Sequence, residues 1–133
     1  MKKEQELEVV DNQRCFWDFI RRLRSDPRVQ DGFRNNVQIT EAEQEAYMEA
    51  RADCYIIAVE NGKPVGFAGV VDNDIRVCVD PAQQGRGVAK SLLREIISRH
   101  PGAEAVVKVE NTASRRLFDG LGYQPRYVVY SRD

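Results

Sequence analysis

The chain has 133 residues, 42% hydrophobic and 31% charged, with a net charge of −1. That balance excludes a disordered tail, a collagen-like fibre and a disulfide-dense miniprotein, and the length predicts one domain over residues 1–133. No apolar run approaches the ~20 residues of a membrane span, and the charged Met1–Val10 segment does not read as a signal peptide.

The charge is unevenly spread. Residues 1–60 carry 9 basic and 13 acidic side chains, whereas residues 81–133 carry 9 and 5. The positive excess suits a phosphorylated ligand or is an ordinary solvated surface. The near-neutral total gives no specific nucleic-acid signal. Cys15, Cys54 and Cys78 form no CxxC pair, which fits a reducing, cytoplasmic compartment. With His100 as the one histidine, no metal site is expected; its place before Pro101 reads as a helix end.

Leu7–Val10 reads as a first strand, with Asp11 or Asn12 able to cap the helix that follows. Phe16, Phe19, Ile20 and Leu23 make the apolar face of that helix, and Ser25-Asp26-Pro27 ends it. Residues 28–39 read as a loop. Thr40-Glu41-Ala42-Glu43 has capping-box spacing and opens a helix to about Ala50. Strands follow at Cys54–Val59, Pro64–Val71 and Ile75–Val79, joined by turns at Asn61-Gly62 and Asp72-Asn73-Asp74. Gly85–Arg99 is a helix with Val88, Leu92, Leu93, Ile96 and Ile97 on its apolar stripe, stopped by Pro101-Gly102. Ala105–Val109 is a strand, Thr112–Gly120 a short helix and Tyr127–Tyr130 a last strand. The order β-α-α-β-β-β-α-β-α-β predicts an α/β (α+β) fold: a mixed, mostly antiparallel sheet flanked by helices.

The segment with the most chemistry runs from Val79 to Lys90. Two glycines between a strand and a strong helix let the backbone approach a ligand, and the first helical N–H groups have no internal acceptors. With the helix dipole they make an anion site. It is not a P-loop: Gln84 stands where the first glycine belongs and Ala89 precedes Lys90-Ser91. Nor is it a dinucleotide fingerprint, because position 90 is lysine.

What fits is Gln84-x-x-Gly87-x-Ala89 after a strand ending Val-Asp-Pro, followed downstream by Asn111-x-x-Ser114-x-x-x-Phe118-x-x-x-Gly122-Tyr123. The two motifs in register, with the element order from Leu7 to Tyr130, resemble the Gcn5-related N-acetyltransferase (GNAT) superfamily. At this length the resemblance implies that the last hairpin is trimmed to one strand. It also implies that acetyl-CoA is bound. Backbone groups of Val77, Cys78 and Val79 would pair with pantetheine and hold the thioester oxygen. Gln84, Gly85, Arg86, Gly87, Val88 and Ala89 would hold the pyrophosphate. Asn111 would contact the pantetheine arm or a water, with Ser114 and Phe118 along the CoA. Each has a plainer reading: Val77–Val79 as sheet core, Asn111 as a helix N-cap, the glycines as a tight turn.

Direct transfer to an amine needs a base and an acid. At the position where many relatives carry a proton-donating tyrosine this chain has Phe118, and Tyr123 sits at a structural aromatic position. Asp74 is the carboxylate at the place relatives use for a base; Glu60 is another. Both also read as turn residues. The acceptor would lie against the first two helices, near Trp17 and Tyr47, with Arg21, Arg24, Arg28 and Arg34 available to an acidic acceptor or forming a solvated helix face. Trp17-Asp18-Phe19-Ile20 with Ser25-Asp26-Pro27 is similar to the amino-sugar acetyltransferase branch. The expected activity is therefore N-acetyl transfer to an amine of a small molecule or peptide, by a monomer or homodimer. The rivals are a non-catalytic acyl-CoA-binding module and an interaction protein with a merely structural glycine turn.

Overall fold

The computed structural model describes residues 7–30, 38–85 and 87–132. Strands β1 (Leu7–Asp11), β2 (Tyr55–Glu60), β3 (Lys63–Val71) and β4 (Asp74–Val79) form one antiparallel sheet in the order β1-β2-β3-β4. Its two tight hairpins follow from their turn residues. Glu60 pairs with Lys63 around Asn61-Gly62 (φ 51° and 78°), and Val71 with Asp74 around Asp72-Asn73 (φ 52° and 66°). Two successive left-handed residues form the turn whose twist matches that of paired strands.

Helices α1 (Trp17–Arg24) and α3 (Glu41–Arg51), with a helical turn α2 (Pro27–Gln30) between them, serve one face. Helices α4 (Val88–Arg99) and α5 (Thr112–Gly120) serve the other. The capping box is present: Thr40 Oγ1 accepts from the Glu43 N–H and Glu43 Oε1 from the Thr40 N–H, each at 3.1 Å. At α1 the expectation was wrong. Neither Asp11 nor Asn12 caps it; a 3₁₀ turn at Arg14–Phe16 leads in. The Asn12 amide instead donates to the Ala52 carbonyl at the end of α3 (3.2 Å), a tertiary partner that outbids a local cap.

Both faces of the sheet are buried. Ile56, Ala58, Ile75 and Val79 pack against Leu92, Leu93 and Ile96 of α4 and Phe118 of α5. Tyr55, Ile57, Phe67 and Cys78 pack against Ile20, Leu23 and Met48. Two-sided burial explains why β2 and β3 read as continuous apolar runs rather than alternating ones.

Two predicted strands do not form ladders. Only Glu104 bridges β4, in the parallel sense: Ile75 N–H donates to Glu104 O (2.7 Å) and Glu104 N–H to Asn73 O (2.9 Å). Beyond it, 105–109 runs unpaired, as does Tyr127–Tyr130, which is exposed. A β-rich run becomes a strand only when a partner takes its backbone groups, and neither segment has a strand partner among the described residues. Of the predicted 28–39 loop, the start is the helical turn α2, and 31–37 lie outside the described residues. Among the described residues no helix is long and apolar enough to cross a membrane.

Candidate active site

The turn from β4 into α4 is built from local chemistry. Asp80 N–H closes the last rung to Val65 O (2.8 Å), and its carboxylate accepts from Ala82 N–H (3.0 Å), starting a 3₁₀ turn over Pro81–Gln83. The chain then swings through Gly85 (φ 81°) and Gly87 (φ 82°), angles that only glycine adopts without strain. Among the described residues, a Cβ on either glycine would meet nothing within 4 Å, so this turn faces open space on their side. Arg86 lies outside the described residues.

Gly87 caps α4 without any side-chain hydrogen bond, and the first helical bond is Ser91 N–H to Gly87 O (3.1 Å). Among the described residues, the amides of Val88, Ala89 and Lys90 therefore have no acceptor. No acidic side chain sits in this first turn, and Lys90 is exposed beside it. Free amides, the positive helix end and open space above two glycines suit a diphosphate. Gly66 brings the helix close: a Cβ there would lie 2.9 Å from the Cys78 carbonyl and 3.3 Å from Val88.

The neighbouring edge of β4 is open. Because Ile75 N–H points away from β3 to Glu104 while Asp80 N–H points back to Val65, strand alternation turns the backbone groups of Val77 and Val79 outward. Those of Cys78 face β3. Its side chain is buried against the α1–α3 layer, and burial pushes the thiol up to about 12. At pH 8 iodoacetamide is expected to alkylate exposed Cys15 in the folded protein and to leave Cys78 untouched; peptide mass spectrometry reads this directly.

The downstream motif packs more than it projects. Asn111 Oδ1 accepts from Ser114 N–H (3.2 Å) as the N-cap of α5. Phe118 is 8% exposed, its ring 5.4 Å from that of Tyr123. Tyr123 Oη donates to Ala103 O (3.1 Å), a structural anchor. Without a hydroxyl to satisfy, Phe118 is free to join the core.

On the other face of β4, the Tyr47 and Tyr55 hydroxyls are 2.6 Å apart, and Arg76 donates to Tyr47 Oη (3.3 Å). Arg24 lies over the Tyr47 ring at 5.6 Å, and Asp74 is 3.9 Å from Arg76. Burial raises the Tyr55 phenol well above its usual range, so it stays protonated. Trp17 is not brought to this cluster. It lines a groove of about 350 Å³ between α1 and α3, with Asp18, Arg21, Glu41 and Gln44. Arg21 is tied to Asp18 (2.8 Å) within the groove, while exposed Arg28 is tied to Asp26 (2.7 Å), so the solvated-face reading fits Arg28 and not Arg21. Glu60 sits at the opposite hairpin end of the sheet from Asp74. Tyr55 was missed by sequence reasoning. The signal was Gly69 in mid-strand, where a Cβ would lie 2.5 Å from the Tyr55 ring.

A family model described as "Acetyltransferase (GNAT) family" matches residues 17–123. The N-alpha-acetyltransferase RimI of Mycobacterium tuberculosis (strain ATCC 25618 / H37Rv) is 32% identical over 81 residues, covering 53% of this chain and 51% of that protein. The chain thus spans about half the length of that curated relative. An N-acetyltransferase from Staphylococcus aureus Mu50 shares the fold at TM-score 0.76 and 20% identity, over 88% of this chain and 82% of that one. So does yncA from Salmonella typhimurium, solved with its cofactor acetyl-CoA, at TM-score 0.76 and 24% identity, over 88% and 79%. With the family model spanning most of its length and the architecture shared, this chain belongs to the acetyltransferase (GNAT) family.

Proposed function

We propose that this protein is an acetyl-CoA-dependent N-acetyltransferase acting directly on a primary amine of a small molecule, such as an amino sugar, or of a peptide. The observation that carries this reading is the set of three amides at Val88, Ala89 and Lys90 that have no acceptor among the described residues, beside an open β4 edge. Acetyl-CoA, when bound, supplies an acyl group activated as a thioester. The 84–90 turn takes its pyrophosphate, and the outward groups of Val77 and Val79 take its amides as an added strand. The Val77 N–H is the donor for negative charge developing on the thioester oxygen. Asn111 and Ser114 flank the pantetheine side.

Asp74, on the same face as Arg76 and Tyr47, removes a proton from the acceptor ammonium, whose pKa near 10 otherwise leaves little free amine. Replacing Asp74 with Asn is expected to lower kcat/KM about 100-fold or more while leaving acetyl-CoA affinity unchanged. Thiol release followed from pH 6 to 9 checks this: the variant's rate should climb towards higher pH, where the amine deprotonates unaided.

The primary test is calorimetric titration with acetyl-CoA, followed by a thiol-release assay on an amine panel. Saturable binding below ~1 mM with amine-dependent release is the expected result. Binding without release on amino sugars, polyamines, peptides and aminoglycosides favours a non-catalytic acyl-CoA-binding module, the second reading, to which the buried Phe118 lends weight. Absence of binding removes both.

A further inference from the structure

Across the middle of the sheet, Tyr55, Gly69 and Arg76 form one row: Tyr55 pairs with Gly69, and Gly69 with Arg76. With no side chain on Gly69, the Tyr55 ring lies over that position, and its hydroxyl reaches the place where Arg76 meets Tyr47. The placement of protons decides what this row displays. Tyr55 is 2% exposed, and among the described residues its hydroxyl is bonded to Tyr47 Oη alone, at 2.6 Å. A buried hydroxyl proton needs an acceptor, so Tyr55 donates and Tyr47 accepts. Arg76 donates to the same Tyr47 oxygen at 3.3 Å and takes up its remaining acceptor capacity. Half-buried Tyr47 is then left with a proton to give outward. Arg76, 36% exposed, has N–H donors beyond the one Tyr47 uses, and Asp74, at 3.9 Å, is too far to hydrogen-bond them. Arg24 adds a second guanidinium over the Tyr47 ring. The cluster therefore displays donors, with two guanidiniums against one carboxylate.

We infer that the acceptor carries an acidic group, a carboxylate or a phosphate, a few bonds from its amine, and that Arg76 holds this group together with Tyr47 and Arg24. This acceptor class rests on the acetyltransferase reading and narrows it. Asp74, assigned there to the ammonium, is two residues before Arg76 on the same face of β4, and the charged ends of the two side chains are 3.9 Å apart. A short amino acid spans both. A polyamine would bring only positive charge to the two guanidiniums, and a peptide amino terminus presents a neutral amide where the acid belongs. The Tyr47–Tyr55 pair acts through Arg76: two hydroxyls that nothing else claims among the described residues hold the guanidinium plane in one orientation.

Matched pairs test this: the common amino acids against their carboxamides, and phosphoethanolamine against ethanolamine. Each is titrated calorimetrically into CoA-saturated protein, then assayed for thiol release from acetyl-CoA. At least one acid should bind, and turn over by kcat/KM, roughly 10–100-fold better than its partner, the worth of a charge-assisted contact. The pair with the larger ratio tells carboxylate from phosphate. Arg76→Gln should erase that ratio through KM, and Arg76→Lys should restore part of it. Tyr47→Phe keeps the ring and should raise KM for the acid while kcat and acetyl-CoA affinity hold; a merely structural tyrosine would lower Tm and leave the ratio alone. Because the titration needs no turnover, missing thiol release counts against the enzyme reading, while acid-selective binding lost in Arg76→Gln still upholds the cradle. A panel in which no acid outbinds its partner, a preference for polyamines, or acid selectivity that survives Arg76→Gln would each overturn the inference.

Discussion

Gly87→Asp is expected to abolish measurable acetyl-CoA binding while the protein stays folded. Gly87 has φ 82° and open space where a Cβ would go, so a side chain costs only backbone strain. Asparagine, the same shape without charge, carries that strain of about 1 kcal/mol as a loss of stability that free and bound protein share, so its affinity should stay near that of the parent. Aspartate adds a carboxylate beside the amides of Val88, Ala89 and Lys90, where the diphosphate is proposed to sit. Like charges ~5 Å apart in an effective dielectric of ~20 repel by about 3 kcal/mol, a loss of affinity of roughly 100-fold. The gap between the two variants should narrow in high salt, because the turn is exposed and screened. Calorimetric Kd values for both, with thermal melts to verify folding, decide the matter. Equal affinities for Asn and Asp would remove the anion cradle.

The second large effect concerns stability. Gly69→Ala is expected to destabilise the fold by about 1–3 kcal/mol, lowering Tm by roughly 3–6 °C per kcal/mol for a chain of this size. The new methyl would lie 2.5 Å from Tyr55 Cδ1 and 2.8 Å from the Cys54 carbonyl. The carbonyl is backbone and cannot step aside. The ring is held by Phe67, edge-on at 5.8 Å, and by the hydroxyl contact to Tyr47. Gly102→Ala is the control, since nothing lies within 4 Å and its φ is not in the left-handed region. It should be neutral or slightly stabilising, through reduced freedom of the unfolded chain. If Gly69→Ala melts with the control, Tyr55 is not seated as described.

Local signals carried the legible part of the fold. Thr40 and Glu43, Asn61-Gly62 and the stripe from Val88 to Ile97 each encode their element within a few residues, and each formed. The strand at 105–109 misled because its residues have strand character whether or not a neighbour is present. Asn12 misled because its preferred partner, Ala52, is distant in sequence. At the candidate site the glycine turn was readable, as its function resides in backbone angles that composition reveals. The Arg24–Tyr47–Tyr55–Arg76 cluster was not: its members come from four elements and meet only once the sheet register is set. The same holds for Trp17, whose ring belongs to the groove between α1 and α3.

The sheet order has a kinetic consequence. β2, β3 and β4 are joined by two-residue turns, so their ladders close small loops and need little ordering before they are rewarded. β1 must find Glu60 from Leu7, across the whole α1–α3 excursion. The meander is thus the natural nucleus, and the amino-terminal strand docks last and frays first, its amides surrendering their protons to solvent deuterium ahead of the other three.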